Sequence, residues 1–187
     1  MTNAERIQAH NEELRDAIQL AEALPEAGVE NNDNEDYLID GGLTGEYVNN
    51  RVTKMRQYAF YQQYTLEKLK MNSVTAVSVY GVGHCSALKY AEFASATSIA
   101  AAAFLMCFRL TTVILRSESV VALANTNAFS SCYHFAGTKN ATYNPNGDQD
   151  GYFYVPSKLI DAYKSATNWS TFESQFRAIE DYPEICG

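Results

Sequence analysis

Cysteine is scarce in this sequence, and its four positions (Cys85, Cys107, Cys132 and Cys186) form no CxxC pair and no Cys/His cluster at zinc spacing. That pattern gives no support for a disulfide framework, a redox motif or a structural zinc site. Long apolar runs are missing too. The most apolar stretch, Ala100 to Phe108, falls well short of the ~20 residues that span a bilayer, so no membrane insertion is expected. Met1 to His10 is polar, so no signal peptide is visible where an export signal would place its apolar region. Basic residues are outnumbered, 14 against 22 acidic, and no basic stripe of the kind nucleic-acid binding requires is present. A nucleophile elbow, a phosphate-binding glycine loop and an HExxH string are also lacking. The expectation is a non-catalytic protein without cofactor or metal.

Hydrophobic residues make up 47% of the 187 residues and charged residues 19%, which is ordinary for a chain that buries a core. The charge is unevenly placed. Residues 1–50 hold 12 acidic and 2 basic side chains, a net −10, and residues 51–187 hold 10 acidic and 12 basic, a net +2, which together make the overall −8. The acidity belongs to the N-terminal segment.

The informative feature is a period of 22. Segments starting at Val52, Val74 and Ala96 align without gaps. Met55, Val77 and Ile99 share a column, as do Phe60, Val82 and Phe104, and Leu66, Leu88 and Leu110 are identical. Leu69, Ala91 and Val113 follow, then Met71, Phe93 and Leu115. A unit of this size cannot bury its apolar face alone, but stacked neighbours complete one continuous core. A degenerate fourth unit runs through Val121, Ala128, Phe129 and Cys132, is interrupted by the polar loop Tyr133 to Gly151, and resumes as a strand at Tyr152 to Pro156.

The AFxxCxxLxxV core resembles the BspA-like family of leucine-rich repeats, over roughly residues 48–180. Val82 departs from the usual Phe of that pattern and Gln63 from the usual Cys. The resemblance implies an α+β fold: a short leucine-rich-repeat solenoid of period 22 with an N-terminal helix and a C-terminal helical cap. The opening ERIQAHNEELRDAIQLAEALPEAG is similar to N-terminal segments of phage-encoded structural proteins in gut Firmicutes, which implies a phage-encoded chain or one from such a bacterium. The organisation expected is an N-terminal helix over 1–27, an acidic linker over 28–36, the solenoid with its capping strand over 37–156, and a C-terminal helical cap over 157–187. Within that cap, one helix is expected from Ser157 through Ala166 and a second from about Trp169 to Ile179. In the N-terminal helix, a heptad through Ile7, His10, Leu14, Ala17, Ala21 and Leu24 forms a narrow seam suited to homo-oligomerisation or to packing on a larger assembly.

The cysteine column Cys85, Cys107 and Cys132 reads as small buried thiols, with Cys186 expected to be an exposed free thiol. His84 and His134, beside two of those cysteines, read as turn-face histidines. The Asn146 to Gly151 stretch matches the front half of a calcium loop, but Ser157 stands where the bidentate Glu belongs, so a polar surface loop is expected.

What remains is surface. Strand alternation points Lys68/Lys70, Tyr90/Glu92, Thr112/Ile114 and Tyr152/Tyr154 outward. On the turn face the outward positions are Tyr61, Gln62 and Tyr64, then His84, then Leu105, Met106 and Phe108, an apolar cluster of the kind that marks a partner site. The candidate binding residues are therefore Tyr61, Tyr64, His84, Leu105, Met106, Phe108, Tyr90, Tyr152 and Tyr154. The function expected is a binding or adhesion module on a virion or cell surface that presents its repeats to a protein or glycan of a host surface. The alternatives are a structural virion component with the solenoid as spacer, such as a head fibre or decoration protein, and a bacterial surface adhesin.

Overall fold

The computed structural model of the chain describes residues 43–187. The expected N-terminal helix with its heptad seam and the acidic linker lie outside the described residues. Seven short strands mark the coils: β1 (Gly45–Val48), β2 (Leu66–Lys70), β3 (Ala76–Val77), β4 (Tyr90–Phe93), β5 (Ser98–Ile99), β6 (Thr112–Leu115) and β7 (Ala122–Leu123). They are followed by the single-turn helix α1 (Tyr133–Ala136), strand β8 (Tyr152–Val155), helix α2 (Ile160–Ser165), strand β9 (Phe176–Ala178) and helix α3 (Pro183–Cys186). All pairing between these strands is parallel, in a six-stranded sheet of order β1-β2-β4-β6-β8-β9 and a three-stranded sheet of order β3-β5-β7.

The register is the sequence period made visible. Lys68 pairs with Tyr90 and Tyr90 with Thr112, steps of 22, and Ala76 pairs with Ser98 at the same step. Equivalent residues thus become neighbours along the solenoid, one strand spacing (about 4.8 Å) apart. Leu66, Leu88 and Leu110 are all fully buried, as are Leu69, Ala91 and Val113 beside them. These rows, with Phe93, Phe104, Phe129 and Phe153, form one continuous apolar core, as neighbour-completed stacking requires.

Two positions per coil carry the chain around its turn in left-handed backbone. They recur at Tyr58, Tyr80 and Ala102 (φ 69, 54 and 56°) and at Gln62, His84 and Met106 (φ 64, 60 and 61°). None is glycine, so each carries a local conformational cost. Coil-to-coil hydrogen bonds at the same turns oppose that cost. Phe60 N–H donates to Gly81 O (2.7 Å), Gln62 N–H to Gly83 O (3.0 Å), Val82 N–H to Ala103 O (2.9 Å) and His84 N–H to Leu105 O (2.7 Å). The thiol column closes the inner side of the same turns. Cys85 donates to Phe60 O (2.9 Å), Cys107 to Val82 O (3.0 Å) and Cys132 to Phe104 O (3.2 Å), all fully buried. Burial pushes the Cys107 and Cys132 thiols well above the usual range. Gln63 takes the column's place in the first coil, where its Oε1 accepts Leu43 N–H (3.3 Å).

The C-terminal end departs from the expected helical cap. Residues 157–159 form a 3-10 turn that leads into α2, but the expected helix over Trp169 to Ile179 is 3-10 structure over Trp169–Gln175 and then strand β9. β9 adds to β8 and continues the sheet by one strand, so the array ends in a sixth parallel strand before the chain turns back. Tyr163 and Trp169, both fully buried, join α2 and the following turn to the last coil. Val121 N–H donates to the Tyr163 hydroxyl (3.0 Å), and Trp169 Nε1–H donates to Val121 O (2.6 Å). Side chains of the cap thus satisfy both backbone polar groups of one buried residue.

Candidate functional site

Two faces of the solenoid carry the predicted binding residues, and the structure treats them differently. On the six-stranded sheet, the outward row Glu46, Lys68, Tyr90, Thr112 and Tyr152 lies beside the row Val48, Lys70, Glu92, Ile114 and Tyr154. The second row is largely covered. Ile114 is fully buried and Tyr154 is 4% exposed, both packed against Cys186, with Tyr90, Tyr152, Ile179, Tyr182 and Ile185 around them. Tyr154, predicted as a binding residue, is therefore a packing residue. The end of the chain folds back over the strand face, a non-local contact that strand alternation cannot reveal. Cys186 is corrected for the same reason: it is buried, not exposed, and burial pushes its thiol up to about 11.

A buried carboxylate anchors this cover. Glu92 is 4% exposed, accepts from the Tyr90 hydroxyl (2.5 Å) and Arg116 Nε (2.6 Å), and lies 3.7 Å from Lys70 Nζ. Arg116 also donates to the Cys186 carbonyl, tying α3 down. Burial alone would raise the Glu92 carboxyl, but the Tyr90 hydroxyl, Arg116 and Lys70 outweigh it and hold it below its usual value. Tyr90 shifts upward through its own burial and its bond to Glu92. Tyr90 and Tyr152 stay half-buried on this face, with Lys68 Nζ 4.7 Å from the Tyr90 ring centre and the Arg177 guanidinium 4.1 Å from that of Tyr152.

The turn face is most open at the first coil. Tyr58 and Tyr64 are 38% and 53% exposed. Tyr58 and Tyr80, one coil apart, stack with centroids 5.2 Å apart and planes 5° apart. Tyr61 meets Tyr58 edge-on at 5.1 Å, Tyr80 edge-on at 6.2 Å and His84 at 4.9 Å. Gly83 makes this possible: a Cβ there would come within 3.2 Å of the Tyr61 ring, which lies across the second coil where a side chain would otherwise stand. Partial burial, with the neighbouring phenols Tyr58, Tyr64 and Tyr80 adding to it, raises the Tyr61 hydroxyl. Tyr61, Tyr64 and His84 were legible as outward turn residues. Tyr58 and Tyr80 were missed, although their spacing of 22 places them in one column.

In the predicted apolar cluster of the third coil, Phe108 is partly covered by the chain's own rings. Leu105, Met106 and Phe108 are half-buried. Phe108 stacks on Tyr133 (5.4 Å, 14°) and against Tyr143 (4.7 Å), and Arg109 lies 5.6 Å from the Tyr143 ring. The polar loop after α1 thus folds onto Phe108, which keeps part of its surface exposed. His134 fixes that loop, its Nδ1 2.6 Å from Asp150 Oδ1 and its Nε2 3.0 Å from Tyr143 O. In the calcium-like stretch, the Asp148 carboxylate accepts from Asn146 Nδ2 (3.1 Å), and Asn144 Oδ1 accepts the N–H groups of Gly147 and Asp148.

Among the described residues, no helix is long and apolar enough to cross a membrane. Residues 44–136 match the BspA type leucine rich repeat region, in six copies. No curated protein and no solved structure matches the chain.

Proposed function

We propose that this chain, whose residues 44–136 match the BspA type leucine rich repeat region, is a non-catalytic binding module that engages its ligand through the turn face of the first two coils. Leucine-rich repeats of this kind serve protein binding and adhesion, and their stacked columns give an extended side-chain surface suited to it. One observation supports this choice of face. The rings of Tyr58, Tyr61, Tyr80 and His84 meet across the turns of two successive coils, beside Tyr64, with Tyr58 and Tyr64 well exposed, while the middle of the strand face is occupied by the chain's own end. Tyrosine is enriched where one side of a residue packs and the other meets a partner.

The setting proposed is display on a virion or cell surface. Residues 1–27 serve as tether, and their self-association through Ile7, Leu14, Ala17, Ala21 and Leu24 multiplies the binding faces. The test is binding of the labelled full chain to arrays of extracellular proteins and of glycans. Tyr58→Ala and Tyr80→Ala abolish the signal, and Tyr152→Ala on the strand face retains it. Binding that survives both turn-face substitutions contradicts the site. Deleting residues 1–27 weakens multivalent capture and leaves single-site affinity intact; a loss of single-site affinity contradicts the tether role.

A further inference from the structure

Residues 179–187 lie on the strand face without extending the sheet beneath them. They form a 3-10 turn over Ile179–Asp181 and the single helical turn α3. Among the described residues, the backbone N–H groups of this segment that find carbonyl partners find them inside it. Tyr182 N–H donates to Ile179 O (3.2 Å), Ile185 and Cys186 N–H to Tyr182 O (3.1 and 2.9 Å), and Gly187 N–H to Pro183 O (2.8 Å). Two bonds made through side chains reach outside. Arg116 donates to Cys186 O, and the Glu180 carboxylate accepts Ser157 N–H (3.0 Å). The remaining hold is apolar: Ile179, Tyr182, Ile185 and Cys186 pack with Ile114 and Tyr154 in a cluster separate from the solenoid core. Within it, the Tyr182 ring meets that of Tyr154 edge-on at 5.4 Å.

The face below is chemically complete without this cover. Glu92, its buried carboxylate, takes the Tyr90 hydroxyl, Arg116 Nε and Lys70 Nζ as partners, all from the solenoid, so lifting the segment leaves no unpaired charge. A single helical turn does not hold its own shape in water. A segment with so few attachments opens at less cost than the whole fold. We propose that residues 179–187 are a strap that lifts as one unit while the solenoid stays folded, and that the row it uncovers, Tyr90, Ile114, Tyr152 and Tyr154, then takes a peptide of a partner protein. The strap itself defines the chemistry of that peptide. It lays a tyrosine and an aliphatic residue three positions later on Ile114 and Tyr154, and offers a backbone carbonyl to the Arg116 guanidinium. Strap and partner peptide compete for one place, so residues 179–187 gate binding at the strand face. This gate is independent of the turn-face assignment.

The experiment follows Cys186 in the full chain, since this thiol is buried under the closed strap and exposed by its opening. The chain is held for hours in native buffer with a small alkylating reagent and read cysteine by cysteine by mass spectrometry. Cys186 reacts slowly, yet at least tenfold faster than Cys85, Cys107 and Cys132, and dilute urea barely changes its rate. Tyr182→Ala raises the Cys186 rate several-fold while circular dichroism and Trp169 fluorescence stay unchanged. A fluorescent peptide of residues 179–187 carrying Cys186→Ser binds the Tyr182→Ala chain at least tenfold more tightly than wild type. Tyr154→Ala, added to that chain, removes the binding. If Tyr182→Ala does not fold, Glu180→Ala takes its place, since Glu180 is exposed and its carboxylate bonds Ser157 N–H. Cys186 labelling no faster than that of the three column cysteines overturns the strap as an independent unit. A peptide that binds neither chain, binds both equally, or is indifferent to Tyr154→Ala overturns the gated peptide site.

Discussion

Removing one hydroxyl from the C-terminal cap tests how the solenoid is closed. In Tyr163→Phe the ring keeps its place against Trp169 (centroids 5.5 Å) and Phe176 (5.2 Å), so the apolar packing is preserved. What is lost is the acceptor for Val121 N–H, in a position where Tyr163 and Val121 are both fully buried. An orphaned buried donor costs about 1–3 kcal/mol, which for a chain of this size lowers Tm by roughly 2–4 °C per kcal/mol. Trp169 is the only tryptophan, it donates to the other side of Val121, and its fluorescence therefore reports the junction during urea unfolding. The pH dependence adds a signature specific to the hydroxyl. Burial pushes the Tyr163 phenol up to about 12, against an opposing pull from the Val121 N–H. Its folded value lies above the unfolded one of about 10. The contribution is therefore complete below pH 10 and is lost as pH rises through 12. The stability gap between wild type and Tyr163→Phe should narrow across that window. A variant as stable as wild type at pH 7, or a gap constant up to pH 12, refutes the proposed closure.

Three further outcomes follow from the same geometry. Leu88→Ala, in the middle of the fully buried leucine row, costs about 2–5 kcal/mol by urea unfolding, and an effect below 1 kcal/mol contradicts the row's interior position. Glu92→Gln weakens the link to Arg116 and Lys70 and costs about 2 kcal/mol at pH 7, the scale of hydrogen bonds to charged groups. Because the folded carboxyl sits below its usual value, that contribution is present above about pH 4.3 and disappears as pH falls through the folded value, so the two proteins should converge in acid; divergence there counts against the hub. All four cysteines are buried and free. A thiol reagent should therefore label none in the native protein and all four in urea, and rapid native labelling of Cys186 would show that α3 does not cover the strand face.

The periodic part of the molecule was legible because stacking converts sequence spacing directly into contact. A column such as Leu66, Leu88 and Leu110 has one physical role in every coil, and the column of small thiols follows from the same rule. What escaped the sequence is what depends on the chain crossing its own surface. Ile114 and Tyr154 alternate correctly as outward strand residues, yet Tyr182, Ile185 and Cys186 return from the far end to cover them. Phe108 points to the turn face as expected, but the loop after α1 brings Tyr143 back onto it. The strand over Phe176–Ala178 looked helical because Phe172, Phe176 and Ile179 fall at helical spacing; pairing to the open edge of β8 prevails over that pattern. The left-handed turn positions were hidden for a different reason, since Tyr58, Tyr80 and Ala102 carry none of the glycine that normally announces them.

Placing equivalent residues of successive coils side by side is the foundation of both the core and the tyrosine face, and a cysteine pair reads it directly. Thr75 and Thr97 are exposed, 22 residues apart, and joined by a hydrogen bond from Thr97 N–H to Thr75 O (2.7 Å). Strand-like neighbours at about 4.8 Å fall within the range a disulfide can bridge. Thr75→Cys/Thr97→Cys should therefore crosslink quantitatively under mild oxidation with an unchanged circular dichroism spectrum. Thr75→Cys/Ser86→Cys, half a coil out of step, should stay reduced. Efficient crosslinking of the half-coil pair, or none in the full-coil pair, would contradict stacking at a period of 22.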